Sequence, residues 1–274
     1  MKKHRNCNLF SITLLFIVLT CAAYAANMDS NDLVIYYSFD EDTVVDGEVV
    51  DTSGNGYNGL IQGSNFNLEE GKVNECMVFP GGAANYIAVR NLQYVEAIPA
   101  LSIAVWIKTA QRGVIASWDR SEFFRFAAAD DQLGNTNFIA FDICCPIRDW
   151  HGTVDVLDNQ WHHIAVTFSG EAKRIYINGE LDVEQAPHTQ AIGPQAARFG
   201  FIGIGSEATE FNGPKNPTWS FKGLMDEYIM FHRVLTPDEV RRLATVTVNP
   251  FAVDPTGKVS TTWGSIKAVI NYRR

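Results

Sequence analysis

Charge is scarce in this chain: Asp, Glu, Lys and Arg make up only 19% of its 274 residues. With 46% apolar residues and 21 glycines, that scarcity excludes disorder or a coiled coil as the main state. Positive charge is scarcer still, 22 Lys and Arg against 31 Asp and Glu. Nucleic-acid binding needs cations to neutralise phosphates, so the acidic balance argues against that class of partner. Only five cysteines are present, and no second C-x-x-C or His pair accompanies them, so the spacing is wrong for zinc. The long apolar run at residues 9–19 is too short for a comfortable transmembrane helix. There is no internal repeat, and only one clear helix signal.

That apolar run follows Lys2, Lys3 and Arg5 and precedes Ala23-Tyr24-Ala25, small residues at the spacing a signal peptidase needs. Residues 1–25 therefore read as an export signal, with the mature chain secreted, periplasmic or at the cell surface. Cys21 offers a lipoprotein alternative, although Thr20 stands before it where a Gly or Ala is usual. Cleavage near Ala25 leaves 19 basic residues against 31 acidic, a net charge of −12. It also leaves Cys76, Cys144 and Cys145, an odd number. In an oxidising compartment a bridge from Cys76 to Cys144 or Cys145 is expected.

What is abundant is short alternating strands. Residues 160–184 read QWHHIAVTFSGEAKRIYINGELDVE. Within them His162, Ile164, Val166 and Phe168 share one face, and Trp161, His163, Ala165 and Thr167 the other. A polar turn at 169–173 and the tight-turn pair Asn178-Gly179 divide the stretch into three antiparallel strands. Further strands are expected at 33–39, 78–82, 86–89, 101–108, 113–118, 123–128, 138–144, 198–205 and 224–231, with turn signals between nearly all of them. About a dozen such strands predict an all-β fold of two packed antiparallel sheets. The single helix is signalled by Thr236-Pro237-Asp238-Glu239, which combines an N-cap Thr, a first-turn Pro and a capping-box Glu. It should end near Leu243.

Three stretches carry a family resemblance: YYSFDED…VVDTSGNGYNGLIQG, WHHIAVTFSGEAKRIYINGELD and FKGLMDEYIMFHRVLTPDEVRRL. Together they resemble the laminin G-like, concanavalin A-like lectin domains of the bacterial secreted type, over residues 33–245. The resemblance implies a jelly-roll β-sandwich at 26–245, followed by a tail at 246–274. It further implies a non-catalytic recognition module that binds carbohydrate or a glycan-bearing protein, with oligomeric state left open. In that family a cation is often held between the N-terminal loop and the closing strand. Asp40, Asp51, Asn55 and Asp226 match those places and would supply oxygen ligands to Ca2+. Asp51 and Asn55 also read as ordinary turn formers.

Other residues invite their own readings. Arg148, Asp149 and Trp150, with Trp219 near Asn216, pair aromatic plates with hydrogen-bonding groups, which suits a sugar's apolar face and hydroxyl edge. Both tryptophans could equally fold back over the core. His162 and His163 point to opposite faces and read as packed histidines rather than a shared ligand shell. Glu180, Asp182 and Glu184 have the E-x-D-x-E spacing of the catalytic strand of jelly-roll β-glucanases, where the outer acids are nucleophile and acid/base. The Trp-rich run usual before that motif is absent, and alternation after Asn178-Gly179 sends Leu181 and Val183 inward and the acids to water. The tail, set off by Asn249-Pro250 and Asp254-Pro255, reads either as a strap packed on the sandwich or as an attachment segment of a structural, protein-binding component.

Overall fold

The computed structural model describes residues 28–118, 124–129, 136–143, 150–186, 191–193, 197–210 and 213–251. Sixteen strands and one helix are found there: β1 Leu33–Tyr37, β2 Val44–Val45, β3 Glu48–Val49, β4 Gly59–Gln62, β5 Asn67–Glu70, β6 Glu75–Pro80, β7 Tyr86–Tyr94, β8 Ala100–Lys108, β9 Gly113–Ser117, β10 Phe124–Ala128, β11 Ile139–Ile143, β12 Trp161–Ser169, β13 Lys173–Ile177, β14 Glu180–Gln185, β15 Arg198–Ile202, β16 Lys222–Phe231 and α1 Pro237–Leu243. The strands form two eight-stranded sheets. The first runs β14-β13-β12-β8-β16-β6-β5, with β1 pairing the far half of β16; the second runs β11-β10-β9-β15-β7-β4-β3-β2. The pairings within these sheets are antiparallel, and the fold is the expected two-sheet jelly roll with one short helix.

Alternation explains the packing. Ile164, Val166 and Phe168 of β12 enter the core between the sheets, beside Ile103, Val105 and Ile107 of β8. Their alternate neighbours Ala104 and Ala165 lie on the outer face, where α1 covers them with Val240 and Leu243. A helix of seven residues is too short to persist alone. It is held by that apolar patch and by its capping box, in which Thr236 accepts from the Glu239 amide at 3.2 Å and Glu239 accepts from the Thr236 amide at 2.8 Å. The start of the tail packs on the same face: the Phe251 ring sits 5.3 Å from Tyr36, and the Met28 amide bonds the Pro250 carbonyl.

Two departures from alternation shape the candidate sites. In β16, Met225, Tyr228 and Met230 all enter the core, so two residues rather than one separate the first pair. The ladder to β8 shifts there, between Asp226 and Ile229, and Glu227 has φ of +54°. This bulge puts Asp226 and Glu227 together on the outer face. In β14 the ladder passes from Leu181 directly to Val183, leaving Asp182 as the unpaired extra residue.

Cys76 is a buried free thiol, so the bridge expected from it is not formed. Its thiol lies near the Glu70 carbonyl on β5, whereas β11, which leads to Cys144 and Cys145, faces β13 through the Lys173–Phe141 contact. Cys144 and Cys145 themselves lie outside the described residues.

Candidate functional site

The four residues considered as cation ligands separate into two groups. Asp51 is buried and its carboxylate is consumed by the turn it organises: it accepts from the amides of Tyr36, Ser53 and Tyr57, each at 3.0 Å, and from the Ser53 hydroxyl at 2.8 Å. Asn55 donates to the carbonyls of Leu33 and Val34. These two pin the loop after β3 against β1, which is the turn-former role.

Asp40, Asp226 and Glu227 lie close enough that each of the last two carboxyls feels the Asp40 charge. Asp226 is wholly buried. Its Oδ2 accepts the amides of Lys72 and Val73 at 2.7 and 3.0 Å, while Oδ1 has no hydrogen-bond partner. Glu227 is also buried; one oxygen accepts from the Tyr36 hydroxyl at 2.8 Å, and the other, Oε1, is unpartnered. Burial pushes the Asp226 carboxyl up to about 7 and, with Asp226 beside it, Glu227 up to about 9. Burial raises Asp40 too. Gly71 must be glycine here, since a Cβ would stand 2.6 Å from Asp226 Oδ2 and 2.7 Å from the Glu75 carbonyl. The signal for Glu227 was the spacing Met225-x-x-Tyr228, one residue too long for a flat strand. No set of three or more Asp, Glu, His or Cys side chains among the described residues is arranged to hold a metal. Any cation at this bulge would need backbone or water oxygens to complete its shell.

The two tryptophans each present one face to a cation. Trp219 lies over Arg125, 4.8 Å from its guanidinium carbon, and packs on Val114, Ala127 and Ala140. Arg125 is itself paired with Asp142 at 3.2 Å. Trp150 is partly buried against the main core, with the Lys173 ammonium 5.3 Å from its ring and bonded to the Phe141 carbonyl at 3.0 Å. Both rings thus close the sandwich at the β9–β11 end. Arg148 and Asp149 lie outside the described residues.

The histidines occupy opposite faces. His163 is fully enclosed beside Trp106, ring centres 5.2 Å apart, and burial lowers it to about 3, so it is neutral. His162 is held by Asp158 at 3.0 Å.

Each acid of β14 has its own partner. Glu180 meets Arg241 of α1 at 3.5 Å, and Glu184 meets Arg174 of β13 at 2.5 Å. Asp182 accepts from the Thr153 amide and hydroxyl. The bulge at Asp182 breaks the single-face row that i, i+2, i+4 spacing would give. Leu181, expected inward, is 51% exposed, because the bulge turns it to the outer face opposite Tyr176. A cleft of about 560 Å³ results between β14 and α1. Arg174, Glu184, Arg241 and Glu180 form its charged walls, and Tyr176 and Leu181 its apolar lining.

Comparison with known proteins agrees with this architecture. Human Pentraxin-4 is 25% identical over 178 residues, which span 63% of this chain and 37% of that relative. Domain 4 of AbnA, a GH43 extracellular arabinanase from Geobacillus stearothermophilus solved with arabinotriose, superposes with a TM-score of 0.59 at 20% identity, covering 78% of this chain and 98% of that domain. The ligand-binding domain of botulinum neurotoxin serotype D, solved with N-acetylneuraminic acid, gives a TM-score of 0.52 at 14% identity over 78% of this chain and 51% of that one. The laminin G-type family model of the concanavalin A-like lectin/glucanases superfamily matches residues 81–241. That stretch is more than half the chain, runs from the turn after β6 into α1, and contains every strand around the β14–α1 cleft: the protein belongs to the concanavalin A-like lectin/glucanases superfamily.

Proposed function

We propose that this protein is an exported, non-catalytic recognition module that binds carbohydrate through the cleft between β14 and α1. The observation that carries the reading is the cleft's construction. Two opposed Arg–Glu pairs stand on rigid elements around Tyr176 and Leu181. Carboxylate and guanidinium groups hydrogen-bond adjacent sugar hydroxyls, and an apolar lining accepts the C–H face of the ring. Domains of the same fold solved with arabinotriose and with N-acetylneuraminic acid support the ligand class. Residues 1–25 supply the export signal, which places the module where glycans are met.

A glycan array probed with the purified chain tests the reading. Neutral oligosaccharides should bind, and Arg174→Ala should weaken them about tenfold. Unchanged binding in that variant discards the cleft. Incubation with β-1,3 and β-1,4 glucans should release no reducing ends. Release that disappears in both Glu180→Gln and Glu184→Gln would make the protein a glycoside hydrolase instead.

The orphaned oxygens of Asp226 and Glu227 support a second element, a calcium ion at the closing-strand bulge. The free oxygens of Asp226 and Glu227 would hold it, with carbonyl and water oxygens making up the rest of the shell and Asp40 adding only its nearby charge. Asp51 and Asn55 are left to their turn. A cation that binds only the folded chain raises its melting temperature. The melting temperature should therefore rise with calcium and fall with chelator; coincident melting curves would remove the ion.

A further inference from the structure

In an acidic chain, one cleft is lined by cations and by no acid. It opens where β8, β16 and β6 end together, and holds about 320 Å³. Lys108 and Lys222 flank it, Gln111 and Asn159 add amide groups, and Leu224 and Pro80 give an apolar side. No Asp or Glu is among its lining residues, although acids outnumber Lys and Arg by 31 to 22 in the chain. Among the described residues neither ammonium is paired with a carboxylate.

The walls are fixed before any ligand arrives. The Thr109 hydroxyl, buried beneath the cleft, bonds the Lys222 carbonyl at 2.7 Å. The Thr109 carbonyl accepts the Asn159 amide at 3.0 Å, and the Gln111 amide donates to the Thr109 hydroxyl at 3.0 Å. One threonine thus ties β8 to β16 and to the loop before β12. The stem of Lys222 lies along Gly81, whose φ is +76° and where a Cβ would stand 3.0 Å from the Lys222 Cβ. The first carbons of the lysine stem therefore pack against the Gly81 backbone.

We infer that this cleft is a second saccharide site, selective for sugars that carry a carboxylate, such as uronic or sialic acids. The inference rests on the carbohydrate-binding reading above and adds a ligand class to it. Two unpaired ammonium groups supply charge-assisted hydrogen bonds to a carboxylate. The amides of Gln111 and Asn159 suit ring hydroxyls, and Leu224 with Pro80 faces the ring's C–H surface. A volume of about 320 Å³ accommodates one or two sugar residues. The chain's net negative charge repels acidic polymers in general, so such a ligand is held only where the local field is reversed.

The test is calorimetric titration of the full chain with oligogalacturonate and with its carboxyl-reduced, neutral counterpart. The acidic oligosaccharide should bind about tenfold more tightly at low ionic strength, an advantage that added salt erodes. Lys108→Gln with Lys222→Gln should abolish that advantage while leaving neutral binding at the β14–α1 cleft unchanged. Both side chains reach solvent at the cleft mouth, and circular dichroism checks that the double variant is folded. Equal affinity for the two oligosaccharides, or an advantage that survives the double substitution, overturns the inference and leaves the recognition reading intact. Inorganic phosphate that competes as well as galacturonate at equal concentration also overturns it, since the site would then be a plain anion site. If neither oligosaccharide binds, both readings fall together.

Discussion

Two strands of the same sheet carry short runs of acid, and the molecule treats them in opposite ways. On β16, Asp226 and Glu227 are buried, each with one oxygen unpartnered, and both are raised far above the usual carboxylate range. On β14, Glu180 and Glu184 are half or more exposed at the side chain and bound to arginines. Both strands are bulged, so irregular backbone alone does not explain the difference. Position in the sheet does. β16 is interior, flanked by β8, β6 and β1, with the β5–β6 turn folded over its bulge. β14 is an edge, open to solvent and to α1. Acids at an open edge stay solvated and pair with arginines; acids under a turn become a store of unfavourable charge that a proton relieves.

The largest effect should come from removing Asp226. Asp226→Ala strands the Lys72 and Val73 amides without their acceptor, and should cost about 3 kcal/mol in urea unfolding. Asp226→Asn keeps an acceptor and sheds the charge, so without calcium it should cost far less. Equal losses in the two variants would mean that the carboxylate's charge, not its hydrogen bonds, is what the bulge uses. Gly71→Ala comes next. Its Cβ would intrude on Asp226 Oδ2 and on the Glu75 carbonyl, so overpacking should destabilise by about 2 kcal/mol and weaken the calcium response as well. A response that survives Gly71→Ala intact would place the ion elsewhere.

How much of this was legible beforehand follows the same division. Long strands with one apolar face, such as β8 and β12, announce themselves by period two, and α1 by its cap and proline. β2 to β5 do not, because two to four residues are too few for a period to show. The bulges hide in plain alternation: Met225-x-x-Tyr228 is present in the sequence, but a regular strand would send Asp226 and Glu227 to opposite faces. Asp51 looked like a ligand because aspartate in a glycine-rich loop serves both turns and cations, and only the bonds to Tyr36, Ser53 and Tyr57 decide between them. Trp150 and Trp219 looked like open plates because their cationic partners Lys173 and Arg125 are remote in sequence, and their placement over the rings is a product of sheet packing. The Lys108–Lys222 cleft was invisible for the same reason, its two lysines being brought together by the β8–β16 pairing.

The pH dependence sharpens the contrast further. Asp226 and Glu227 have folded pKa values of about 7 and about 9, raised by burial above ordinary values near 4. The folded chain therefore holds protons that the unfolded chain releases. Stability is fully present below the unfolded pKa values and is lost as pH rises through the folded ones. Below about pH 6.5 the buried neutral His163 opposes this trend, because the unfolded chain protonates it. In chelator the fall in melting temperature should therefore show from about pH 7 to about pH 9. Glu227→Gln, which stays neutral, should flatten the upper part of that slope. Calcium should flatten it too, because an ionised pair is what a cation binds. A melting temperature that stays flat from about pH 7 to about pH 9 would show that the pair is ionised in the folded chain without an ion.

The smallest effect on stability belongs to β14, and it is the one that separates recognition from structure. Glu184 and Arg174 form an exposed pair, and such pairs contribute little once side-chain entropy and solvent screening are counted. Glu184→Gln should thus change unfolding stability by no more than about 0.5 kcal/mol, with no dependence on calcium. If the cleft binds sugar as proposed, its effect on neutral-oligosaccharide affinity should be larger, about tenfold, because the carboxylate offered to sugar hydroxyls is replaced by an amide with one acceptor fewer. Measured on one preparation by urea unfolding and by calorimetry, the two numbers must diverge. A variant that loses stability and affinity in parallel would make Glu184 a structural residue of the edge and return the cleft to mere surface. A variant that loses neither would leave Arg174, Arg241 and Glu180, with Tyr176 and Leu181, to carry any sugar bound there.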